Sequence, residues 1–499
     1  MYTFNSYHPL PQPEYPSVIN SNDFKSIFSD CADFESRDIA WALDEDRLLY
    51  VCWIDGIVSG KDVSQDIIRP MTDIFRAGHF QSEQEIFDAI LTGAVYSCSV
   101  SSCEDTDTVL SMLTHGHCAL IFNSLKKAIC FEVKTASLRA VSEPSLEKSV
   151  KGAKDSFVEA LRVNTSLVRR RIASPKLKII ESVVGRKSRT KVSLMFIEGI
   201  ASPAVVSACA KRLDELDIDS LIATGNLEEY IVDCPLSPFP QLLHTERPDR
   251  FSQYLLEGRI GLITDGIPIG LVLPVTFADF MKVTGDSSNS YIIVSALIIL
   301  RWMSLLISVF LPAIYVSVAM YHQEMLPTRL LLSIIDAKQN VPFSTALEVV
   351  GMLMSFELLQ EAGLRLPNPI GDTVSIIGAL IVGQSAVEAQ VVSPIAIIVV
   401  ALAGIAGYTL PSQDLGAAVR FTRFIMVIVS VFAGLFGVGV VSCILLVHLA
   451  SIDSFGVNYT APLSDGKPFA LFRLLLRPPK SMVKFRNPIF GSFDRRKQK

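Results

Sequence analysis

The stretch from Gly363 to Arg423 combines apolar sequence with four polar side chains that could bind or pass ions. They are Asp372, Gln384, Glu388 and Gln390. Four prolines interrupt the stretch: Pro367, Pro369, Pro394 and Pro411. A polar group without a partner is costly in hydrocarbon, so polar residues at membrane depth face a bundle interior or a water-filled cavity. The stretch therefore indicates a polar site inside a membrane domain.

Helical geometry groups some of these side chains. At about 100° per residue, Thr373, Gln384 and Glu388 fall within about 60° of one another, and form a polar stripe. Ile377, Leu380 and Val387 lie beside this stripe and are candidates for an apolar gate that closes by dewetting. Glu388 would favour cations, whereas Asp372 falls off the stripe and is expected to cap the helix start. An alternative stays open, in which the polar residues satisfy one another and small residues pack a neighbouring helix.

Two patterns with residue types typical of metal or phosphate binding are incomplete. His115-Gly-His117-Cys118 has no second cluster at metal-ligand spacing. The segment from Gly185 to Thr190 lacks the second glycine and the Gly-Lys-Ser/Thr order of a phosphate loop. No Ser/His/Asp set or carboxylate pair stands out. We therefore expect no enzyme, no catalytic residues, no metal site and no cofactor.

The composition divides the chain into a globular half and a membrane half. The chain has 499 residues, 50% of them hydrophobic, and a mean hydropathy of +0.40. Charged and apolar residues alternate up to about residue 290, the sequence is apolar from 291 to 451, and a basic tail follows. We predict a flexible arm over 1–40, α/β subdomains over 41–144 and 145–285, a transmembrane helical domain over 286–452 and a basic tail over 453–499.

The sequence of the N-terminal half predicts two α/β subdomains in the cytoplasm. Its first residues lack a secretory signal, and the nine cysteines fit a reduced, mostly buried state. Strands are expected at 47–54, at CALIFNS and KAICFEV, and in RIGLITDGIPIGLVLP, where Asp265-Gly266 suits a type I′ turn. Helical spacing predicts one long helix over 145–171. The basic residues at its end lack interleaved aromatics, so nucleic acid is not expected as a partner.

From the lengths of the apolar runs in the second half, we predict about four to six membrane segments. A membrane-spanning helix needs about 20 apolar residues. Four candidates are residues 302–321, 370–392, 394–410 and 424–449, and residues 291–300 lie along the interface or extend the first span. Residues 343–361 carry Glu348, Glu357 and Glu361, so they lie in the headgroup region or against other helices. The basic tail is expected in the cytoplasm, which requires an even number of crossings. Four spans leave Arg420 and Arg423 outside, against the charge bias.

Several longer phrases resemble one family. They are VKGAKDSFVEALRVNTSLVRRRIASPKLKI, SPFPQLLHTERPDR, LLEGRIGLITDGIPIGLVLPVTF, HQEMLP, EAGLRLPNPIGDTVSIIGALIVGQSAVEAQVVSP and SFGVNYTAPL. Together they cover roughly residues 110–462 and resemble the A subunit of the spore germination receptors, the GerA family of endospore-forming bacteria. The first forty residues and the tail from Asp465 match loosely.

The resemblance implies a function that composition does not show. Such proteins lie in the inner membrane of the spore with a transporter-like B subunit and a lipoprotein C subunit. The resemblance implies that their complex responds to small nutrients and that the A subunit oligomerises into a ligand-gated ion channel that triggers germination. No catalytic residues are known for the family. Two alternatives remain: a secondary transporter, indicated by proline-interrupted helices and Glu388, and a non-conducting scaffold for the partner subunits.

Overall fold

The computed structural model describes most of the chain. The described residues are 15–41, 48–77, 80–95, 99–133, 144, 147, 152–365, 383–465, 470–492 and 494–497. They divide into two compact units. The described parts of Met1–Val232, His244–Pro274 and Lys484–Lys499 form the first, and those of Asp233–Leu243 and Val275–Val483 form the second.

The first unit begins with a five-stranded antiparallel sheet in the order β1-β2-β4-β5-β3. Its strands are β1 Phe34–Ala40, β2 Leu48–Ile54, β3 Val100–Cys103, β4 His117–Phe122 and β5 Lys127–Glu132. Its helices are α1 Ser21–Ile27, α2 Gly60–Asp62, α3 Arg69–Ala77, α4 Glu83–Ala89 and α5 Thr106–Thr114. The central strands are almost fully buried, because apolar cores lie on both faces of the sheet. The strand expected at 47–54 and the following hairpin are confirmed.

Residues 1–40, interpreted as a flexible arm, include regular structure where they are described. Helix α1 and strand β1 both lie there, and Phe24 and Phe28 are buried. Asn20 caps α1 by accepting the Asn22 N–H at 3.2 Å. These residues pack against the first sheet because their apolar side chains complete its core.

A second five-stranded sheet follows in the order β6-β7-β9-β10-β8, and its β6–β7, β7–β9 and β9–β10 pairs are antiparallel. Its strands are β6 Leu177–Val184, β7 Thr190–Ile197, β8 Leu243–Thr245, β9 Ile260–Thr264 and β10 Gly270–Leu273. The helices around it are α6 Leu161–Arg171, α7 Pro203–Asp214, α8 Thr224–Ile231 and α9 Pro248–Leu256. Two α/β layers are therefore present in the globular half, as the alternation of strands and helices predicted.

Two local predictions in this sheet are corrected. The helix expected over 145–171 is only Leu161–Arg171 where described, because residues 152–160 are not helical. Phe157 is buried edge-on against Phe251, and its N–H donates to the Glu246 carbonyl at 2.7 Å. Tertiary contacts thus hold this segment in a non-helical conformation.

The β9–β10 connection is also longer than a two-residue turn. Residues 265–269 separate the strands, and Gly270 pairs with Ile263. The Gly266 N–H donates to the Glu159 carbonyl at 2.8 Å, and Asp265 Oδ1 accepts the Leu161 N–H at 3.1 Å. The loop is therefore shaped by its contacts with the start of α6.

The second unit is mainly helical. Its helices are α10 Tyr291–Tyr321, α11 Thr328–Lys338, α12 Thr345–Arg365, α13 Pro394–Tyr408, α14 Gln413–Ser451 and α15 Ala470–Leu475, and strands β11 Asp453–Ser454 and β12 Val457–Asn458 form a small ribbon. Helix α10 has 31 residues and α14 has 39, and in the described part of the chain these two are long and apolar enough to cross a membrane. The prediction of four to six segments is not confirmed beyond these two.

The first candidate span is longer than residues 302–321. Residues 291–300 extend it, because Arg301 does not end the helix. Its guanidinium makes a bidentate pair with Asp286 at 2.7 and 2.9 Å and donates to the Met281 carbonyl at 3.0 Å. Because these contacts neutralise its charge, Arg301 can lie within an otherwise apolar helix.

The remaining candidate spans differ in length from their predictions. Residues 343–361 correspond to α12, which has 21 residues, and residues 394–410 to α13, which has 15. For the candidate at 370–392, residues up to 382 lie outside the described part, and residues 383–388 are helical.

Candidate functional site

The predicted polar stripe can be located over its C-terminal end. Residues 383–388 form a helical segment in which Gln384 Nε2 donates to Glu388 Oε1 at 2.9 Å. Both side chains are exposed and Val387 is half-buried. The i,i+4 spacing puts Gln384 and Glu388 on one face. Thr373, Ile377 and Leu380, which complete the predicted stripe and gate, lie outside the described residues, as does Asp372.

A sharp turn ends the helix that carries Glu388. Gln390 has a left-handed φ of 54°, and the Val391 N–H donates to the Ala386 carbonyl at 2.9 Å. This bonding across a left-handed residue resembles a helix C-terminal cap. Ser393 then caps the start of α13, with its Oγ accepting the Ala396 N–H at 3.4 Å. Gln390, grouped with the polar set by sequence, thus has a backbone role in ending this helix.

Helix α12 carries a fully buried carboxylate, that of Glu348. Glu348 Oε2 accepts the Ser393 N–H at 2.9 Å, and Oε1 lies 3.4 Å from Lys338 Nζ. The first N–H groups of a helix lack partners within it and carry partial positive charge. Glu348 therefore compensates both the start of α13 and the ammonium group at the end of α11.

The same helix carries a second ion pair farther along. Glu357 Oε1 lies 2.7 Å from Arg423 Nη2, and Glu357 Oε2 lies 3.3 Å from Arg420 Nε. Arg423 has 1% of its side chain exposed. Nine residues separate Glu348 from Glu357, which is about half a turn of net rotation at about 100° per residue. Helix α12 therefore presents one acid towards α11 and α13 and another towards α14.

These pairs give a reason for charges that the sequence could not place. Glu348 and Glu357 were costly for a lone span, and Arg420 and Arg423 opposed the charge bias in the four-span arrangement. Pairing with Glu357 on α12 places both arginines in the packing of the helical unit. The sequence shows acidic and basic residues on separate apolar helices, which indicates that ion pairs form between these helices. It does not indicate which acid pairs with which base.

Two cavities open beside the ion pairs. One of about 310 Å³ has Lys338, Thr345 and Gln323 in its wall. The other, of about 220 Å³, is lined by Glu357, Glu361 and Arg420. Volumes of this size with polar walls can hold water or a small ion. The arrangement thus provides charged space beside apolar helices that is large enough for water.

The histidines of the incomplete metal motif bond to backbone. His115 Nδ1 lies 2.6 Å from the Ser111 carbonyl, and His117 Nδ1 lies 3.0 Å from the Met112 carbonyl. Across the described residues, no three side chains of His, Cys, Asp or Glu are grouped to hold a metal ion.

Comparison with known proteins matches nearly the whole chain to one family. The family model described as Bacillus/Clostridium GerA spore germination protein matches residues 22–489. Spore germination protein B1 of Bacillus subtilis (strain 168) is 36% identical over 434 residues, covering 87% of this chain and 89% of the relative. Spore germination protein KA of the same organism is 34% identical over 459 residues, covering 91% of this chain and 84% of the relative.

Two further similarities concern a membrane protein and a solved structure. The uncharacterized membrane protein YfkQ of B. subtilis (strain 168) is 36% identical over 430 residues, covering 86% of this chain and 83% of the relative. The N-terminal domain of the A subunit of the Bacillus megaterium spore germinant receptor GerK3 is 29% identical, with a TM-score of 0.40. The matched region covers 52% of this chain and 98% of the GerK3 domain. The relative's name and the two long apolar helices indicate membrane association.

Proposed function

Because this chain belongs to the Bacillus/Clostridium GerA spore germination protein family, we propose that it is the A subunit of a nutrient-sensing germinant receptor. In this proposal it lies in the inner membrane of the bacterial spore as a multi-pass protein with its N-terminal domain in the cytoplasm. It assembles with a transporter-like B subunit and a lipoprotein C subunit. Several copies form a ligand-gated ion channel whose opening starts germination.

The observation that supports a conducting role is the exposed Gln384–Glu388 pair at the end of a helix. Both side chains are exposed within a unit whose other helices are mostly apolar. Their hydrogen bond satisfies only part of the capacity of a carboxylate and an amide, so the remaining sites need water or an ion. In a ring of subunits, one such stripe from each copy would line a common path, and Glu388 would attract cations.

The gate is assigned to the apolar residues beside the stripe. Val387 is half-buried next to Glu388, as expected of a side chain at the margin between packed helices and a path. Ile377 and Leu380 complete the proposed constriction. An apolar ring of this kind excludes water when closed, and a smaller side chain would let water and ions through.

The decisive experiment is ion conductance of the protein reconstituted with its partner subunits, with and without nutrient. We expect Val387→Ala to raise basal conductance at least several-fold, because a smaller side chain widens the constriction. Glu388→Gln should reduce cation selectivity, because it removes the charge while keeping the shape. Ile398→Ala is the matched control, since Ile398 is 64% exposed on α13, outside the proposed gate.

Other outcomes distinguish the alternatives. Saturable nutrient uptake by this chain alone would indicate a secondary transporter. If the complete complex passes no ions at any nutrient concentration, the chain is a scaffold and the channel proposal is wrong. Equal basal conductance in V387A and I398A would contradict the assignment of Val387 to the gate but not the channel proposal.

A further inference from the structure

Three sulfur atoms meet at one edge of the first sheet. Cys103 Sγ lies 3.9 Å from Cys130 Sγ and 3.6 Å from Met112 Sδ. Cys103 is 4% exposed and Cys130 is fully buried, and Met112 packs against the same core. The proposed channel function does not involve any of these side chains.

Sheet register and a helix bring these sulfurs together. In the β3–β5 pair, Ser101 lies opposite Cys130 and Cys103 lies opposite Ala128. The two cysteines are therefore diagonal neighbours, and the two-residue period of a strand puts them on one face. Helix α5 covers that face, and Asp105 caps its start by accepting the Thr108 N–H at 3.2 Å. The cap sets the helix so that Met112 reaches Cys103.

The spacing suits a soft metal ion. Thiolate and thioether ligands select Cu(I) over harder ions. With metal–sulfur bonds of about 2.3 Å, three ligands in a trigonal arrangement lie about 4 Å apart. The two observed separations are close to that value, so small side-chain adjustments would admit the ion. We propose that Cys103, Cys130 and Met112 form a binding site for Cu(I).

Binding requires the loss of thiol protons and no oxidation. Cu(I) forms bonds to the two thiolates and to the thioether sulfur, two protons leave to solvent, and the copper oxidation state is unchanged. Both cysteines therefore bind as thiolates, and neither sulfur is oxidised.

The position in the sheet offers an entry path. Strand β3 is at the edge of the sheet and has four residues. Short edge strands open locally at much lower free energy than central strands. Cys103 is the last residue of β3, so opening of this end would expose it without unfolding the central strands.

The test is Cu(I) competition between the full-length protein and a coloured Cu(I) chelator, bathocuproine disulfonate, without oxygen. Wild-type protein should remove one more equivalent of Cu(I) from the chelator than Cys103→Ser or Cys130→Ser. Met112→Leu keeps the apolar volume and should weaken the site about tenfold or more, because one ligand is lost. X-ray absorption of the loaded wild-type protein should show three sulfur neighbours.

The control is Cys209→Ser, because Cys209 is a fully buried cysteine of α7 in the same unit. It should bind as much Cu(I) as wild type. Equal stoichiometry in C103S, C130S and wild type would overturn the proposal. Unchanged Cu(I) affinity in M112L would also overturn it. This variant tests the proposal even if the serine variants do not fold. A wild-type protein that forms a Cys103–Cys130 disulfide and takes up no copper would likewise contradict it.

Discussion

At the scale of single residues, Glu348 joins three helices through one carboxylate. Its oxygens contact the Ser393 N–H and the Lys338 ammonium group while the side chain has no exposed surface. A buried charge is tolerated when partners surround it, and removal of one partner leaves the other uncompensated. The free energy of unfolding of the helical unit should therefore depend strongly on this residue.

Glu348→Gln tests this dependence. The substitution keeps the size of the side chain but leaves the Lys338 ammonium group without its counter-charge, so we expect a loss of about 3–5 kcal/mol in the free energy of unfolding. Thermal unfolding of the purified protein in detergent, followed by circular dichroism, measures the change. The double variant Lys338→Met with Glu348→Gln should recover part of the loss, because no lone charge remains.

The control for this substitution is Glu324→Gln. The Glu324 side chain is 77% exposed, and its ion pair with His322 spans 3.8 Å. Exposed pairs contribute about 0–1 kcal/mol, so the unfolding temperature should barely change. Similar unfolding temperatures for E348Q and E324Q would contradict the role assigned to Glu348.

At the scale of elements, helix α14 is broken at Gly434. The backbone there has φ 57° and ψ −146°, a combination that only glycine adopts readily. The Tyr321 hydroxyl donates to the Val431 carbonyl, three residues before the break. Such a break usually frees carbonyls of the preceding turn, and an outside donor can satisfy them. Glycine thus allows two helical segments to follow each other with a kink, and α10 supplies the compensating hydrogen bond.

Gly434→Ala should destabilise the protein, and Gly439→Ala should not. A Cβ at position 434 would meet Tyr321 at 3.3 Å in a strained conformation, which costs on the order of 1–3 kcal/mol. At position 439 a Cβ has open space, so the alanine should be neutral or stabilise by about 0.5–1 kcal/mol. Thermal unfolding of the two variants gives the comparison, and the prediction fails if G434A is as stable as G439A.

At the scale of the whole molecule, the C-terminal residues belong to the same unit as the N-terminal sheets. Arg486 Nε donates to the Leu256 carbonyl at 2.9 Å, and the Asp494 N–H donates to the Gly199 carbonyl at 3.1 Å. The Arg259 guanidinium lies 4.1 Å from the centre of the Phe490 ring. If the helical unit crosses a membrane, segments before and after it can pack together in this way only when both lie on the same side. We therefore predict an even number of crossings.

Cysteine labelling in sealed, oriented vesicles tests that topology. In a background without Cys234 and Cys443, Glu35→Cys and Lys497→Cys should react with a membrane-impermeant maleimide from the same side. Asn340→Cys follows the first span and should react from the opposite side. Reaction of the two terminal positions from opposite sides would contradict an even number of crossings.

Much of the architecture could be predicted because it depends on local pattern. The apolar run LLYVCWI predicted a buried strand, and the hairpin of CALIFNS and KAICFEV has the expected partners. The long apolar run after residue 424 indicated a membrane-length helix, which the structure extends back to Gln413. Each signal lies within one element, where hydrophobicity and length are sufficient. The candidate stripe of Thr373, Gln384 and Glu388 stays a prediction, of which the Gln384–Glu388 contact is seen.

By itself, the sequence determined the class of each half, because alternating and continuous apolar patterns specify sheets and membrane helices. Only the tertiary structure decided which charges pair. Glu348 meets Lys338 and the start of α13, and Glu357 meets Arg420 and Arg423. Residues 152–160 likewise depart from helix because Phe157 bonds to a segment far along the chain. Such pairings depend on distances between elements, and no periodicity within one element records them.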